Sequence, residues 1–432
     1  MNASPPVAEP SPSEEAVRTE LPPSGHRPRV LHLTQPVDGG VARVVTDLVR
    51  AQLADGLHVT AVCPDSALAG QLRTLGAHVR HWHATRSPGA SLVREVRQLT
   101  RLLDEARPDL LHAHSAKAGL AGRLAVRGRI PTVFQPHAWS FEAVGGSTAA
   151  LALRWERWAA RWAARVMCVS EAERATGVRA GITGRWAVVP NGIDPKRFRP
   201  APAEAVRDGL APLAGTHARA PLAVCVGRLC RQKGQDVLLR AWDAVLRQVP
   251  DARLVLVGDG PDRDRLRAAA PASVLFAGAV ADASPWYQAA DVVVLPSRWE
   301  GMALAPLEAM ACGRPVVVTD VDGARESLPR SFAGPCLVPP EDARALAGAV
   351  AALLLDPSLR ASLGDRGRHH VLSLHDVRHT ARAVTGVYRD LLGTWPAATA
   401  PWARAHRTAG DAGAERMSPT AESYEHRESI HS

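Results

Sequence analysis

The sequence predicts an α/β protein made of two doubly wound domains of similar size that face a central cleft. Three observations carry that reading. Short β-branched runs alternate with helical patterns from residue 29 to about 200. The alternation stops in a Pro-, Ala- and Gly-rich stretch at 201–221 and restarts at 222. Hydrophobic residues make up 46% of the 432 and charged residues 22%, which excludes disorder over the whole chain. No apolar run approaches the ~18–20 residues that a membrane span needs; the longest candidate, 345–355, reads as a packed helix.

Residues 29–34 read as the first strand. A helix follows at 41–53, with Val41, Val44, Val45, Leu48 and Val49 on one side. Further strands are expected at 58–63, 78–83, 109–112, 131–136 and 165–169, separated by helices near 66–75, 91–106, 116–127 and 148–164. The second domain places strands at 222–227, 253–257, 273–277, 291–295 and 315–319, with helices between them. Helices at 341–355, 357–371 and 376–392 close the fold. The domains therefore run 29–200 and 222–375, joined by a linker at 201–221 and closed by the helix 376–392. The ends, 1–28 and 396–432, carry Pro, Ser, Ala and charge without apolar periodicity and read as disordered tails. The first tail has no apolar core of a secretory signal. Six cysteines with no C-x-x-C pair argue against a disulfide framework or a zinc module and fit a reducing, cytoplasmic setting.

The net charge of +9 is unevenly spread. Residues 29–200 carry +11, residues 201–392 carry +1, and the two tails carry −2 and −1. A basic half attracts an anionic partner: phosphate, a membrane surface or nucleic acid. Only three of the 52 basic residues are lysines, namely Lys117, Lys196 and Lys233.

Ligands of doubly wound sheets bind beyond the carboxyl ends of the strands, so residues just after strands are the informative ones. Gly39-Gly40 separates the first strand from its helix. A glycine pair lets backbone approach a ligand, and the helix N-terminus offers free N–H groups to a phosphate; a plain tight turn is the alternative. Gly227-Arg228 with Lys233-Gly234 follows strand 222–227. Two fixed cations at a strand end make a diphosphate clamp, which stabilises a departing nucleoside diphosphate without a metal. The alternative is a solvated charged turn. Glu300 and Glu308 follow strand 291–295 and stand eight residues apart, about two helical turns, so they do not share a proton as a close pair. Each is placed to accept hydrogen bonds from a different hydroxyl group of one ligand, while the amides of Gly301, Met302, Ala303 and Leu304 donate to its oxygens. On its own, Glu308 also fits a surface glutamate.

His137 follows strand 131–136, where a histidine suits proton handling or positioning near neutral pH. His112-Ala113-His114 sits at another strand end. No Cys or Asp completes a ligand set there, so no metal is assigned. The strings Asp262-Arg263-Asp264 and Asp320-Val321-Asp322 are not read as metal–nucleotide sites either.

Taken in order, these residues resemble the family 4 glycosyltransferases, retaining enzymes of the GT-B fold with two Rossmann-like domains. The resemblance covers about residues 29–392. It rests on Gly39-Gly40-Val41, Val189-Pro190-Asn191-Gly192-Ile193-Asp194, Val226-Gly227-Arg228-Leu229 with Gln232-Lys233-Gly234, and Leu256-Val257-Gly258-Asp259-Gly260. The most specific piece runs from Pro296-Ser297-Arg298-Trp299-Glu300-Gly301 to Leu307-Glu308-Ala309-Met310-Ala311-Cys312-Gly313, then Pro315-Val316-Val317. It implies that Arg228 and Lys233 hold the donor diphosphate, Glu300 the hydroxyl groups of the transferred sugar, and Glu308 the nucleotide ribose. Gly40 would offer backbone to the diphosphate from the other domain, and His137 matches the active-site histidine of the N-terminal domain. Ser115-Ala116-Lys117-Ala118-Gly119 and Pro136-His137-Ala138-Trp139-Ser140-Phe141 look most like the branch that builds polysaccharides on polyprenyl carriers. Met302-Ala303 departs from the aromatic and small or proline residues of many members.

The resemblance thus implies hexosyl transfer from a nucleotide-sugar to a polyprenyl-diphosphate-linked acceptor, with no cofactor or metal. His137, Arg228, Lys233 and Glu300 would be the catalytic residues. The C-terminal domain would bind the donor and the basic N-terminal domain the acceptor. A transferase acting on a soluble small molecule, and an epimerase or phosphorylase of the same fold, are the neighbouring readings. A nucleic-acid-binding protein would explain the basic half, but no RNP-type or zinc-finger signature is present. Helix 148–164 adds one more candidate. Leu151, Trp155, Trp158 and Trp162 form one stripe flanked by Arg154, Arg157, Arg161 and Arg165. Such a helix either docks on an anionic membrane surface or packs its stripe on the sheet as ordinary core.

Overall fold

Strands buried on both faces need helices on both sides, and both sheets here are wholly parallel. The computed structural model describes residues 27–86, 88–213 and 220–393; apart from residues 27 and 28, the expected tails lie outside them. The first sheet holds β1 (Arg29–Thr34), β2 (His58–Cys63), β3 (His78–His81), β4 (Leu110–His114), β5 (Thr132–Gln135), β6 (Arg165–Cys168) and β7 (Trp186–Val188), in the order 3-2-1-4-5-6-7. The second holds β8 (Leu222–Val226), β9 (Arg253–Val257), β10 (Val274–Gly278), β11 (Val292–Leu295), β12 (Val316–Thr319) and β13 (Leu337–Val338), in the order 10-9-8-11-12-13.

The helices over the first sheet are α1 (Gly39–Ala54), α2 (Ala67–Leu75), α3 (Leu92–Ala106), α4 (Ser115–Val126), α5 (Gly146–Ala159) and α6 (Glu171–Arg179). They continue with α7 (Ala203–Asp208), α8 (Gln235–Gln248), α9 (Arg263–Ala269), α10 (Ser284–Ala289), α11 (Leu304–Ala311) and α12 (Ala324–Ser327). The chain ends on α13 (Ala343–Leu355), α14 (Pro357–Leu374) and α15 (Val377–Leu392). This is the GT-B arrangement. No single helix among the described residues is long and apolar enough to cross a membrane.

Strand order reverses between β1 and β4 and again between β8 and β11. Crevices open beyond the carboxyl ends of the strands at such switch points. Gly39-Gly40, His114, Gly227 and the loop at 296–303 all lie there. One apolar cluster runs from Val30 and Leu48 through Ile193 and Phe198 into the second sheet at Val224 and Val293, so the two halves share a continuous core.

Several boundaries differ from expectation, each for a physical reason. The described part of the expected linker is folded: it contains α7, Arg207 pairs with Asp291 at 2.8 Å, and Leu213 is buried. The segment 190–198 belongs to both halves. Ile193 N donates to His375 O at 2.8 Å, Val377 N donates back to Ile193 O at 3.0 Å, and the Phe198 ring lies 6.0 Å from that of Tyr287. Helix α15 returns to α1, where Tyr388 is fully buried beside Gln52 and His112. Helix α6 was not anticipated because its buried residues are Glu173 and Gly177, so it has no apolar stripe. β7 and β13 are three and two residues long, too short for a period-2 signal.

The tryptophan helix also differs. It ends at Ala159 and continues as a 3-10 turn, Ala160–Trp162. Its stripe is not core: Leu151 is 69% and Trp158 46% exposed, while Trp155 and Trp162 are half-buried. What the helix buries instead is Glu156, held at 2.7 Å by the buried Arg123 of α4.

Candidate active site

The loops after β8, β9 and β11 meet backbone to backbone. Gly234 has φ +65°, and a Cβ on it would lie 2.0 Å from Pro296 O. Gly258, at φ +141°, would meet Gly227 O at 2.1 Å. Only glycine permits both the left-handed backbone and the close approach. Arg298 N donates to Gln232 O at 2.8 Å, and Gln232 Nε2 donates to Trp299 O at 3.1 Å. These contacts hold Lys233 against Glu300. Lys233 Nζ donates to Glu300 Oε1 at 2.5 Å, and Ser297 Oγ donates to the same oxygen at 2.7 Å. Arg228 is half-buried, and its guanidinium has no hydrogen-bond or ion-pair partner among the described residues.

Glu308 has a different set of neighbours. Tyr287 Oη donates to its Oε2 at 2.7 Å, and Arg43 Nη1, from α1 of the other half, donates to its Oε1. Burial, and then the adjacent carboxylate, push the Tyr287 phenol well above its usual range. Glu300 and Glu308 thus have separate partners.

The first half supplies the facing wall. Gly39 and Gly40 form the first turn of α1 instead of a loop before it, so their amides are among the free N–H groups of the helix. A side chain at Gly40 would stand 3.8 Å from Leu304. Ser170 Oγ donates to Gly301 O at 3.0 Å, and Asn191 Nδ2 donates to Met302 O at 2.7 Å. The carbonyls of this loop are therefore engaged across the cleft. The amides of Gly301, Met302, Ala303 and Leu304 find no acceptor among the described residues. His137 and Ala138 both have left-handed backbones, φ +56° and +101°, which costs about 1–3 kcal/mol per residue. Ala138 N donates to Glu173 Oε1 at 2.6 Å, and Val169 N donates to Glu173 Oε2 at 2.7 Å. Burial raises the Glu173 carboxyl to about 7, and Glu142 and Asp322 add to the rise. A Cβ on Gly301 would lie 2.9 Å from Glu173 Oε1 and 3.1 Å from Ala138 N, so His137–Ala138 sits directly against the Glu300–Gly301 loop.

His112 and His114 form the carboxyl end of β4, His114 being its last residue, and His32 on β1 joins them. The three rings are buried with nitrogen atoms within 4.8 Å of one another. The D-x-D carboxylates are occupied otherwise: Asp262 pairs with Arg265, Asp320 with Arg325, and Asp322 accepts from Thr176 Oγ1 at 2.6 Å across the cleft.

Comparison with known proteins fits this geometry. Residues 38–197 match the family model described as Glycosyltransferase Family 4, and residues 220–356 match that of glycosyl transferases group 1. Alpha-maltose-1-phosphate synthase of Mycolicibacterium smegmatis is 31% identical over 387 residues, covering 82% of this chain and 96% of that protein. The chain belongs to glycosyltransferase family 4. The lipopolysaccharide core mannosyltransferase LpcC of Rhizobium leguminosarum is 34% identical over 54% of this chain and 67% of its own length. An Escherichia coli enzyme named UDP-Gal:alpha-D-GlcNAc-diphosphoundecaprenol alpha-1,3-galactosyltransferase is 30% identical over 56% of the chain and 67% of its own length. Other curated relatives are matched over only about half of their length. Among solved structures, Anabaena HepE with UDP and glucose superposes with a TM-score of 0.72 at 24% identity, over 84% of this chain and 99% of that one.

Two residues that hold Glu308 in this candidate site escaped the sequence reading. Arg43 lies three residues past Gly40, so the helical period points it along the same face. Tyr287 left no signal, because its neighbour Glu308 is 21 residues away. We expect Arg228→Ala and Lys233→Ala each to lower kcat/KM several hundredfold, about 3–4 kcal/mol of transition-state stabilisation, with unchanged far-UV circular dichroism. Near-normal turnover in both variants would remove the clamp assignment.

Proposed function

We propose that this glycosyltransferase moves a hexose-type sugar from a nucleotide-sugar to a polyprenyl-diphosphate-linked acceptor, with retention of configuration. It would do so at the anionic inner face of a membrane. The observation that carries the donor reading is the meeting, at one switch point, of the Lys233–Glu300 pair with an Arg228 guanidinium and amides at 301–304 that have no partner among the described residues. Such a group suits a diphosphate with a sugar attached. Arg228 and Lys233 take the charge that develops as the C1–O bond breaks and the nucleoside diphosphate leaves with its electron pair. Lys233 then passes from Glu300 to phosphate, and Glu300 becomes free to accept from sugar hydroxyl groups. Glu308 accepts from the ribose on the side now held by Arg43, while Tyr287 keeps the other oxygen. The His137 ring faces the donor sugar. The acceptor hydroxyl forms the new bond to C1 on the face that the diphosphate leaves, as retention requires, and its proton passes to a departing phosphate oxygen while the closed cleft excludes competing water. HepE, crystallised with UDP-glucose, and the E. coli diphosphoundecaprenol enzyme support the donor class and the acceptor class in turn.

The membrane reading rests on the charge of +11 in residues 29–200 and on the outward stripe of α5. The Arg161 guanidinium lies 4.3 Å from the Trp158 ring centroid, and Arg157 and Arg185 line the same surface depression. Trp beside Arg suits a headgroup layer. A second reading, a soluble phosphorylated acceptor, is favoured by the nearly full-length match to alpha-maltose-1-phosphate synthase.

Three outcomes are expected. In calorimetry, Glu308→Gln weakens binding of the bare nucleoside diphosphate, whereas Glu300→Gln leaves it equal or tighter, because Lys233 is released; equal losses would refute the division of roles. Transfer survives EDTA, since fixed cations already serve the leaving group; abolition with rescue by Mg²⁺ or Mn²⁺ would overturn that. The protein co-sediments with anionic but not neutral liposomes, less so at high salt. Failure to bind either kind would discard docking and move the acceptor to the soluble class.

A further inference from the structure

The transfer chemistry above uses one histidine, yet His137 is the outer end of a buried line of rings. His137 Nε2 lies 3.2 Å from His114 Nδ1, His114 Nε2 lies 2.9 Å from His32 Nδ1, and His32 Nε2 lies 2.7 Å from Gln52 Oε1. Beyond the amide, Gln52 Nε2 donates to Tyr388 Oη at 3.4 Å, and Tyr388 Oη lies 2.6 Å from His112 Nδ1. Except for half-buried His137, every member is 1% exposed or less. Burial holds all four rings below the usual histidine range, His137 to about 3 and His32 to about 4. The rings are therefore neutral, and each has one donor and one acceptor nitrogen.

A line of neutral rings has only two proton patterns, and a group that accepts without donating selects between them. Gln52 Oε1 is such a group. His32 must carry its proton on Nε2 and accept at Nδ1. His114 then donates from Nε2 and accepts at Nδ1, so His137 donates from Nε2. The Nδ1 of His137 is left with a lone pair. The same direction continues past the amide. Gln52 Nε2 uses a Tyr388 lone pair, the Tyr388 proton goes to His112 Nδ1, and His112 carries its own proton on Nε2. Among the described residues, that nitrogen and Gln135 Oε1, one a donor and one an acceptor, are both buried without a well-formed hydrogen bond. Gln135 is the register partner of His114 on the neighbouring strand.

We propose that Gln52 is a positioning residue: through His32 and His114 it fixes His137 as the Nε2–H tautomer, so that Nδ1 accepts from a hydroxyl group of the transferred sugar. This rests on the reading that His137 faces the donor. A divalent ion among His32, His112 and His114 is the competing use of these rings. It would bring two charges into a buried cluster without a carboxylate and break the 2.9 Å His32–His114 bond.

Long-range ¹H–¹⁵N spectra of histidine-labelled protein, with His137 assigned through His137→Asn, report the tautomer directly. The wild type should show His137 as Nε2–H. Gln52→Met should turn that signal into a mixture of tautomers and lower kcat about tenfold, with the donor KM within about twofold. An Nδ1–H form in the wild type overturns the relay, and that measurement needs the His137→Asn assignment variant but not Gln52→Met to fold. An unchanged tautomer in Gln52→Met overturns it as well. A shifted tautomer with unchanged kcat leaves the relay standing and overturns the contact between His137 and the sugar.

Discussion

Two hydrogen bonds from the first half fix the carbonyls of Gly301 and Met302, and the geometry of the cleft follows from them. In a trans peptide the carbonyl and the next N–H point in opposite directions. Holding these carbonyls on Ser170 and Asn191 therefore aims the amides of Met302 and Ala303 away from those residues. The same contact completes a helix start. The Glu326 carboxylate accepts from Glu171 N at 2.7 Å and Ala172 N at 2.8 Å, so part of the N-terminal cap of α6 comes from the opposite half. A carboxylate at a helix N-terminus is favoured by the dipole. Glu173, one turn on, then holds the amide of Ala138, and the left-handed turn at His137–Ala138 is stabilised by a helix that the other half helps to cap.

The parallel sheets were legible because their strands are buried on both faces and read as β-branched runs: β1, β2 and β9 fall where the pattern places them. Residues just past those strands were legible for the same reason. Lys233 and Glu300 follow β8 and β11, and their meeting needs no more than adjacent strands. Features that the sequence did not disclose depend on contacts between distant segments. Arg43 and Glu308 are 265 residues apart, and nothing local in α1 names its partner. His112-Ala113-His114 does close β4, but the burial of its histidines was not legible. Ala113 between two polar residues hides a strand interior whose polar side chains face other polar groups instead of the usual apolar cover.

The charged residues of the cleft are paired by exchange, which limits the cost of placing them there. Lys233 and Glu300 neutralise each other, as do Arg43 and Glu308, so no isolated charge is buried among them. An anion entering the cleft competes for cations already in place. The desolvation cost of Lys233 is met on folding, and on the proposed reading only the difference between carboxylate and phosphate would remain at binding. Arg228 is half-buried and has no side-chain partner among the described residues, so it would meet such an anion without first giving up a partner.

Helix α5 inverts the usual logic of a surface helix, which turns its apolar stripe inward and its charge outward. Its inward side is anchored by Arg123 and Glu156, with the guanidinium stacked 3.9 Å from the Phe134 ring centroid and its Nε donating to Gly119 O at 2.8 Å. Both charges are satisfied, so the pair needs no solvent, and half-buried Trp155 lies beside the same guanidinium, with its ring centroid 5.6 Å away. Arg157 and Arg161 donate from Nε to Ala180 O and Trp158 O, which fixes their stems and leaves the guanidinium ends beside the exposed rings. Exposed Leu151 and Trp158 carry a cost in water that packing does not relieve in the free chain. A partner with both an apolar layer and negative charge would relieve it, which is why the proposed docking surface is a lipid headgroup region.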